Sequence, residues 1–234
     1  MFKRDALRPE RLPFLKSTLL AAVFLFLMAA PAAFATTWSA QSDFSAASNP
    51  NGVWSYGWSD TLAGTLHLYD KVSTSSSGVA WYDPGNSVLG TPSVWKNTGS
   101  STSYGVAPGD ISLAPGANYS DCIVKWVSPV SGKINIGGMF GAGDSGAMSY
   151  YVSVDGVSKY QWLNASGDES FNFTQAVSSG DIIDFVVGPS TGGSFYYGNT
   201  PLNVTIQPVP EPATFLLFGA GLIEVAILRK KSRQ

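Results

Sequence analysis

Between residues 36 and 207 the sequence predicts an all-β fold, an antiparallel β-sandwich, and three observations predict it. Short runs of alternating polarity recur between clusters of Gly, Pro, Ser and Asn, as in sandwiches and barrels. No stretch sustains the 3.6-residue period of an amphipathic helix. The 234-residue chain has 25 Gly and 13% aromatic residues but only 13% charged residues, against about 25% charged in an ordinary soluble domain. The 172 residues of this middle segment are enough for one sizeable core.

The strands are expected, in order, at Val53–Trp58, Thr65–Tyr69, Val79–Tyr82, Ser93–Trp95, Cys122–Ser128, Lys133–Met139, Met148–Val154, Val157–Trp162, Ser170–Thr174, Ile182–Val187 and Leu202–Ile206. The clearest hairpin runs from Tyr150 to Tyr160. Its Asp155-Gly156 pair supplies the two positive φ angles of a type I′ turn, whose twist matches the flanking strands. A second hairpin is expected at Ser131-Gly132, with Ile134 and Ile136 facing Cys122, Val124 and Trp126. Cys122 reads as a small buried hydrophobe. The low-complexity stretches Ser73–Gly78 and Thr98–Ser103 read as mobile loops, and the Gly-rich Gly137–Gly143 as a turn. A domain boundary near Gly109 is rejected, because the Trp-rich segment before it needs a partner sheet.

The charges are concentrated at the ends. Lys3, Arg4, Arg8, Arg11 and Lys16 lie at the front, and Arg229, Lys230, Lys231 and Arg233 at the back. Within residues 36–207 five lysines stand against twelve acids, a net charge of −7 with no arginine. That excludes a basic nucleic-acid binder. One histidine (His67) and one cysteine exclude an intrachain disulfide and a zinc site built from Cys and His.

The basic front precedes an apolar run, Ser17 to Ala30, and then Ala33-Phe34-Ala35. Positive flank, short apolar core and small-x-small make a secretory signal peptide, residues 1–35, cut by signal peptidase after Ala35. At the other end Pro208-Val209-Pro210-Glu211-Pro212 stops the sheet, since prolines cannot continue a ladder. The apolar segment 213–228 follows and reads as a hydrophobic membrane helix, with Arg229, Lys230, Lys231 and Arg233 as a basic stop on the cytoplasmic side.

Val209, Pro210, Glu211 and Pro212, then an apolar helix with a Gly-x-Gly segment, then a terminal basic cluster, resemble a PEP-CTERM protein-sorting signal over residues 208–234. The resemblance implies recognition by an exosortase, a membrane protease-transpeptidase, and a transient inner-membrane intermediate. It further implies cleavage near the motif and release to the cell surface or extracellular matrix. Such proteins commonly accompany exopolysaccharide and biofilm. Glu224, an acid inside the apolar run, departs from the pattern and implies a weakened anchor.

Leu113-Ala114-Pro115-Gly116, Val124–Pro129 and Ser179–Gly188 resemble segments of jelly-roll domains similar to galactose-binding-like and other carbohydrate-binding modules. This implies a jelly-roll-like sandwich flanked by the two terminal helices. Ala114 and Lys125 stand where such relatives often carry His and Arg, so no role for an imidazole or guanidinium is carried over.

The middle is poor in catalytic chemistry, and an enzyme is not expected. His67 lies on a strand opposite Leu66 and Leu68 and reads as a surface histidine. No nucleophile elbow or phosphate loop appears. Twelve acids offer many pairs for glycoside hydrolysis, but sequence sets no separation between them. No organic cofactor is expected. A structural Ca2+ remains open, with Asp181 and Asp184 the candidates among loop carboxylates that also include Asp43, Asp60 and Asp110. For structure, Asp181 follows Gly180 where its side chain can bond turn amides, and Asp184 alternates with apolar neighbours.

The candidate sugar-stacking residues are Trp54, Tyr56 and Trp58. They alternate along one strand and so share one face. That face is either an exposed row of rings for pyranose faces or the sandwich core. Trp81-Tyr82 and Tyr196-Tyr197 place neighbours on opposite faces, leaving one ring of each pair free to be exposed. The sequence thus supports an exported surface or matrix protein, with a carbohydrate-binding adhesion module as the alternative and a glycoside-active enzyme behind it.

Overall fold

A computed structural model describes residues 36–210. The signal cleavage residues Ala33 and Ala35, Glu211 and Pro212, the apolar segment 213–228 and the basic stop lie outside the described residues. The described residues form fourteen strands: β1 Trp38–Ser39, β2 Trp54–Ser59, β3 His67–Leu68, β4 Lys71–Thr74, β5 Gly78–Tyr82, β6 Ser93–Asn97, β7 Ile111–Ala114, β8 Asp121–Val127, β9 Gly132–Phe140, β10 Met148–Val154, β11 Val157–Ala165, β12 Glu169–Val177, β13 Ile182–Gly188 and β14 Thr200–Pro208. Among the described residues no helix is long and apolar enough to cross a membrane.

The strands form two antiparallel sheets. The first has the order β12-β9-β14-β7-β6-β5-β4, with β1 also beside β14; the second has the order β11-β10-β13-β8-β2-β3. One core lies between them, with Val94, Leu113, Ile136, Phe171 and Val204 from the first sheet and Trp54, Tyr56, Trp126, Tyr150 and Phe185 from the second. Strands before Gly109 extend both sheets: β2 pairs β8 and β6 pairs β7. The half before Gly109 therefore shares its sheets with the half after it.

β14 holds the first sheet together. One edge pairs with β9 from Leu202 to Pro208, and the other is shared by β7, at Thr200–Leu202, and β1, at Thr205–Ile206. The pairing continues past the expected end of the domain, because the Val209 N–H donates to the Lys133 carbonyl at 2.8 Å. The open edge between β11 and β12 is filled by rings. Tyr160 stacks on Trp162 at 5.4 Å and meets Phe171 and Phe173.

The β10–β11 hairpin forms as the sequence predicts, with φ of 49° at Asp155 and 76° at Gly156 and Val154 opposite Val157. Four expectations are corrected. The turn after Ser131 is not a hairpin, since β8 and β9 belong to different sheets. Ile134 and Ile136 share the core with Cys122, Val124 and Trp126, but across the sandwich. Alternation gives the same signal for a strand's ladder partner and for the strand facing it across the core.

Gly137 and Gly138 lie within β9 rather than in a turn. A Cβ at Gly138 would fall 2.6 Å from the Phe171 ring and 2.4 Å from the Asn203 carbonyl oxygen. The residue is absent a side chain because a neighbouring ring and strand occupy that space. The serine run is also ordered. Ser73 and Thr74 end β4, and Ser75 closes the β4–β5 turn, its N–H donating to the Gly78 carbonyl at 2.8 Å. The Thr98–Ser103 loop is held by Asn97, which is fully buried. Its amide donates to the carbonyls of Ser101 at 2.9 Å and Val106 at 2.8 Å, and accepts from the Gly99 N–H at 2.9 Å.

Replacing Asn97 by Ala removes three hydrogen bonds, one buried and two partly buried, and leaves their backbone partners unpaired, at about 1 kcal/mol each. The full chain carrying Asn97→Ala should lose about 2–4 kcal/mol in denaturant unfolding, and proteolysis should open first at Thr98–Ser103.

Candidate functional site

The register of the second sheet decides which expected site residues reach solvent. In β2, Trp54 and Tyr56 point into the core and are 1% and 0% exposed. Trp54 Nε1 donates to Asp43 Oδ2 at 3.0 Å, and Tyr56 meets Phe44 at 5.2 Å. Neither ring can stack on a sugar, and this corrects the exposed-row expectation. Their alternation arises from the sandwich interior, which uses the same period. Trp58 is partly exposed at the sheet edge, but the His67 imidazole stacks on it at 4.5 Å. Its Nε1 donates to Asp83 Oδ2 at 3.0 Å. One ring face is thus covered by His67, while the residue packs against the core.

The two metal candidates serve the fold. Asp181 Oδ2 accepts the Ser178 N–H at 2.8 Å, bracing the turn before β13. Asp184 lies opposite Lys125 on β8, with its Oδ1 3.7 Å from the ammonium nitrogen. Among the described residues no group of three or more His, Cys, Asp and Glu is arranged to share an ion. Cys122 is buried between Tyr69 and Ser93; its Sγ donates to the Ser93 carbonyl at 3.1 Å. Burial pushes its thiol up to about 12, leaving it protonated and inert.

The outward face of the second sheet carries a pattern that alternation within single strands does not reveal. Three rows run across β2, β8, β13 and β10. One is Ser55, Lys125, Asp184 and Ser153; the next is Gly57, Ile123, Val186 and Tyr151. In the third, Ser59 opposes Asp121 and Gly188 opposes Ser149. An apolar row is therefore flanked by two polar rows, each with a carboxylate. Ile123 and Val186 are buried on this face. Leu66, from the loop between β2 and β3, presses on Gly57.

Both carboxylates are desolvated. Asp184 Oδ1 is buried and has no hydrogen-bond partner; burial raises its pKa, and Lys125 offsets part of that rise. Asp121 is only 8% exposed, and burial alone pushes it up to about 6. No cation faces it. Gly188 makes the space it occupies, since a Cβ there would fall 2.3 Å from Asp121 Oδ1. Nothing in the sequence around Asp121 marks it. The signal lies in Ser59 and Gly188, which reach it through pairing.

Asp121 and Asp184 do not form a glycosidase pair. Asp184 faces Lys125, four residues along β8 from Asp121, which corresponds to about 13 Å at about 3.3 Å per residue. Two-carboxylate hydrolysis needs about 5–9.5 Å.

A second surface is aromatic. Tyr104, Tyr119, Tyr196 and Tyr197 are 56–68% exposed. Their loops touch: Gly105 abuts Gly143, the Gly146 N–H donates to the Tyr197 carbonyl at 2.9 Å, and Tyr119 lies over Gly193. Tyr104, Tyr119 and Tyr197 have φ of 52°, 62° and 55°, uncommon for bulky residues.

The chain carries a PEP-CTERM protein-sorting motif at residues 208–231. Its start, Pro208 and Val209, is the end of β14 and its last bond to β9; Val209 and Pro210 are exposed. The sequence as a whole matches no curated protein. Among solved structures, a family 35 carbohydrate binding module from Clostridium thermocellum is similar at 10% identity and TM-score 0.27, covering 41% of this chain and 82% of that one. A family 35 module from Paenibacillus barcinonensis is similar at 17% identity and TM-score 0.27, covering 46% and 84%. The secreted serine protease VesC from Vibrio cholerae gives 11% and 0.30, covering 45% and 21%. These are low-scoring likenesses of part of the chain, and nothing functional is taken from them.

Two outcomes follow. Because burial raises the folded pKa of Asp121 from the ordinary 3.8 to about 6, folding favours the protonated acid. Its contribution is full below about pH 4 and is lost as pH rises through about 6, by about 3 kcal/mol in all. The stability difference between Asp121→Asn and wild type should be near zero at pH 4 and favour the variant by up to about 3 kcal/mol at pH 8 in urea unfolding. Trp54→Ala should cost about 3–5 kcal/mol as a core truncation, read by the same unfolding curves.

Proposed function

We propose that this is an exported bacterial protein of the cell surface or extracellular matrix. Signal peptidase removes residues 1–35, an exosortase processes the C-terminus, and the mature sandwich is non-enzymatic and works within exopolysaccharide or biofilm. The sorting motif at residues 208–231 carries the reading. We further read residues 111–208 as a jelly roll. The orders β7-β14-β9-β12 and β8-β13-β10-β11 support this, because eight strands that alternate between two sheets in this way make two Greek keys.

Carbohydrate binding is the second reading. It is favoured by one surface suited to sugars, the exposed tyrosines on touching loops. Their rings offer flat apolar area to the faces of pyranose rings.

The test is intact mass spectrometry of the protein from cells that possess an exosortase. The mature form should begin near Thr36 and lack residues 213–228. Replacing Pro210 and Glu211 by Ala should leave most of the protein in the membrane fraction with its tail attached. An intact tail on all extracellular protein would contradict the sorting assignment.

A further inference from the structure

We propose that two copies of the protein pair through β12, edge to edge and antiparallel, so that their first sheets become one continuous sheet. Neither the sorting motif nor the tyrosine-bearing loops belong to this edge, and the association does not depend on what the protein binds.

β12 ends the first sheet, with β9 as its ladder partner among the described residues. Their pairing runs without a register shift from Glu169 opposite Phe140 to Val177 opposite Gly132. The direction of each backbone group follows from the other side of β9. Lys133, and Gly141 just beyond the strand, bond toward β14: the Lys133 carbonyl accepts from Val209, and the Gly141 N–H donates to Pro201. Along an antiparallel strand the bonded side alternates residue by residue. Ile134, Ile136 and Gly138 therefore bond toward β12, where Gln175, Phe173 and Phe171 oppose them.

Ser170, Asn172, Thr174 and Ala176 are left with their N–H and C=O groups turned to the open edge. Two carbonyls confirm this direction. Asn172 accepts from the Tyr160 hydroxyl at 3.2 Å, and Ala176 from the Gln175 side-chain amide at 2.8 Å. Each keeps a second lone pair for a further donor. The outward N–H groups have no partner among the described residues.

The other edges are guarded. β1 and β3 span two residues each and β4 only four, beginning at Lys71. β11 is as long as β12, but it carries Lys159, its pairing with β10 shifts register twice, and Asn164 has a φ of 53°. Short strands, lysines and irregular register are means by which proteins keep an edge from pairing. β12 has none of them. It is long and regular, free of Pro, Gly and Lys, and its one charge, Glu169, stands at its end.

A second copy is the partner that this edge fits. Paired antiparallel about Phe173, Ser170 meets Ala176 of the other copy and Asn172 meets Thr174, and two-fold symmetry repeats both pairs. All four residues are exposed and uncharged, so no like charges oppose one another. Each pair exchanges two hydrogen bonds, which gives every outward N–H of the four an acceptor. Residues 36–207 carry a net charge of −7, but at physiological ionic strength charges more than about 8 Å apart are largely screened.

The test uses the full chain in density-matched detergent, with association followed by sedimentation equilibrium at physiological ionic strength. The wild type should show a monomer–dimer equilibrium. Thr174→Lys places two ammonium groups diagonally across the strand pair and should raise the dissociation constant about tenfold or more. Thr174→Pro removes an outward N–H without touching the ladder to β9 and should weaken the dimer by a similar factor. Ser73→Lys on the β4 edge should leave it unchanged. Thr174 is exposed, so lysine there costs the fold little. Melting curves check every variant, and Thr174→Lys decides if the proline variant is unstable. A wild type that stays monomeric at all concentrations would overturn the proposal. So would a dimer whose dissociation constant is the same in wild type and Thr174→Lys, since another part of the chain would then hold it.

Discussion

The register between β8 and β13 is the constraint on which the rest depends. It sets Cys122, Val124 and Trp126 beside Val187, Phe185 and Ile183, and all six enter one core. The same register sends Asp121, Lys125 and Asp184 outward. A slip of one residue would reverse every one of these directions, burying three charges and exposing Trp126 and Phe185. The hydrophobic effect therefore fixes the polar face as firmly as it fixes the core, although no polar contact on that face is strong. Lys125 and Asp184 are 3.7 Å apart, and among the described residues no cation pairs with Asp121.

β14 plays the corresponding part in the first sheet and links it to the fate of the chain. Its edges bind β9, β7 and β1, so the first and last strands of the domain meet side by side. Its end is also the start of the sorting motif. The motif therefore emerges from an ordered ladder, with Val209 bonded to Lys133. A processing enzyme acting there would meet the folded sandwich immediately beside its target.

Much of this architecture was legible in the chain. Asp155-Gly156 specified its hairpin, because few dipeptides accept two positive φ angles. Alternation located most strands on both sheets. β1, β4 and β7 were missed because two to four residues carry too little periodic signal, and β7 is buried throughout. The fate of the Ser131 turn was hidden because alternation does not distinguish a ladder partner from a facing strand. The site was less legible. Trp54 and Tyr56 carried the same pattern whether exposed or buried. Asp121 became distinctive only when pairing brought Ser59, Ser149 and Gly188 around it from three separate segments.

Asp121 is a carboxylate desolvated by its burial at the end of β8, and its titration can be observed directly. The side-chain carboxyl carbon of Asp121, followed by NMR from pH 3 to pH 9 in the intact protein, should titrate at about pH 6. A midpoint near 4 would mean that the carboxylate is solvated, and would contradict the register that places and buries it.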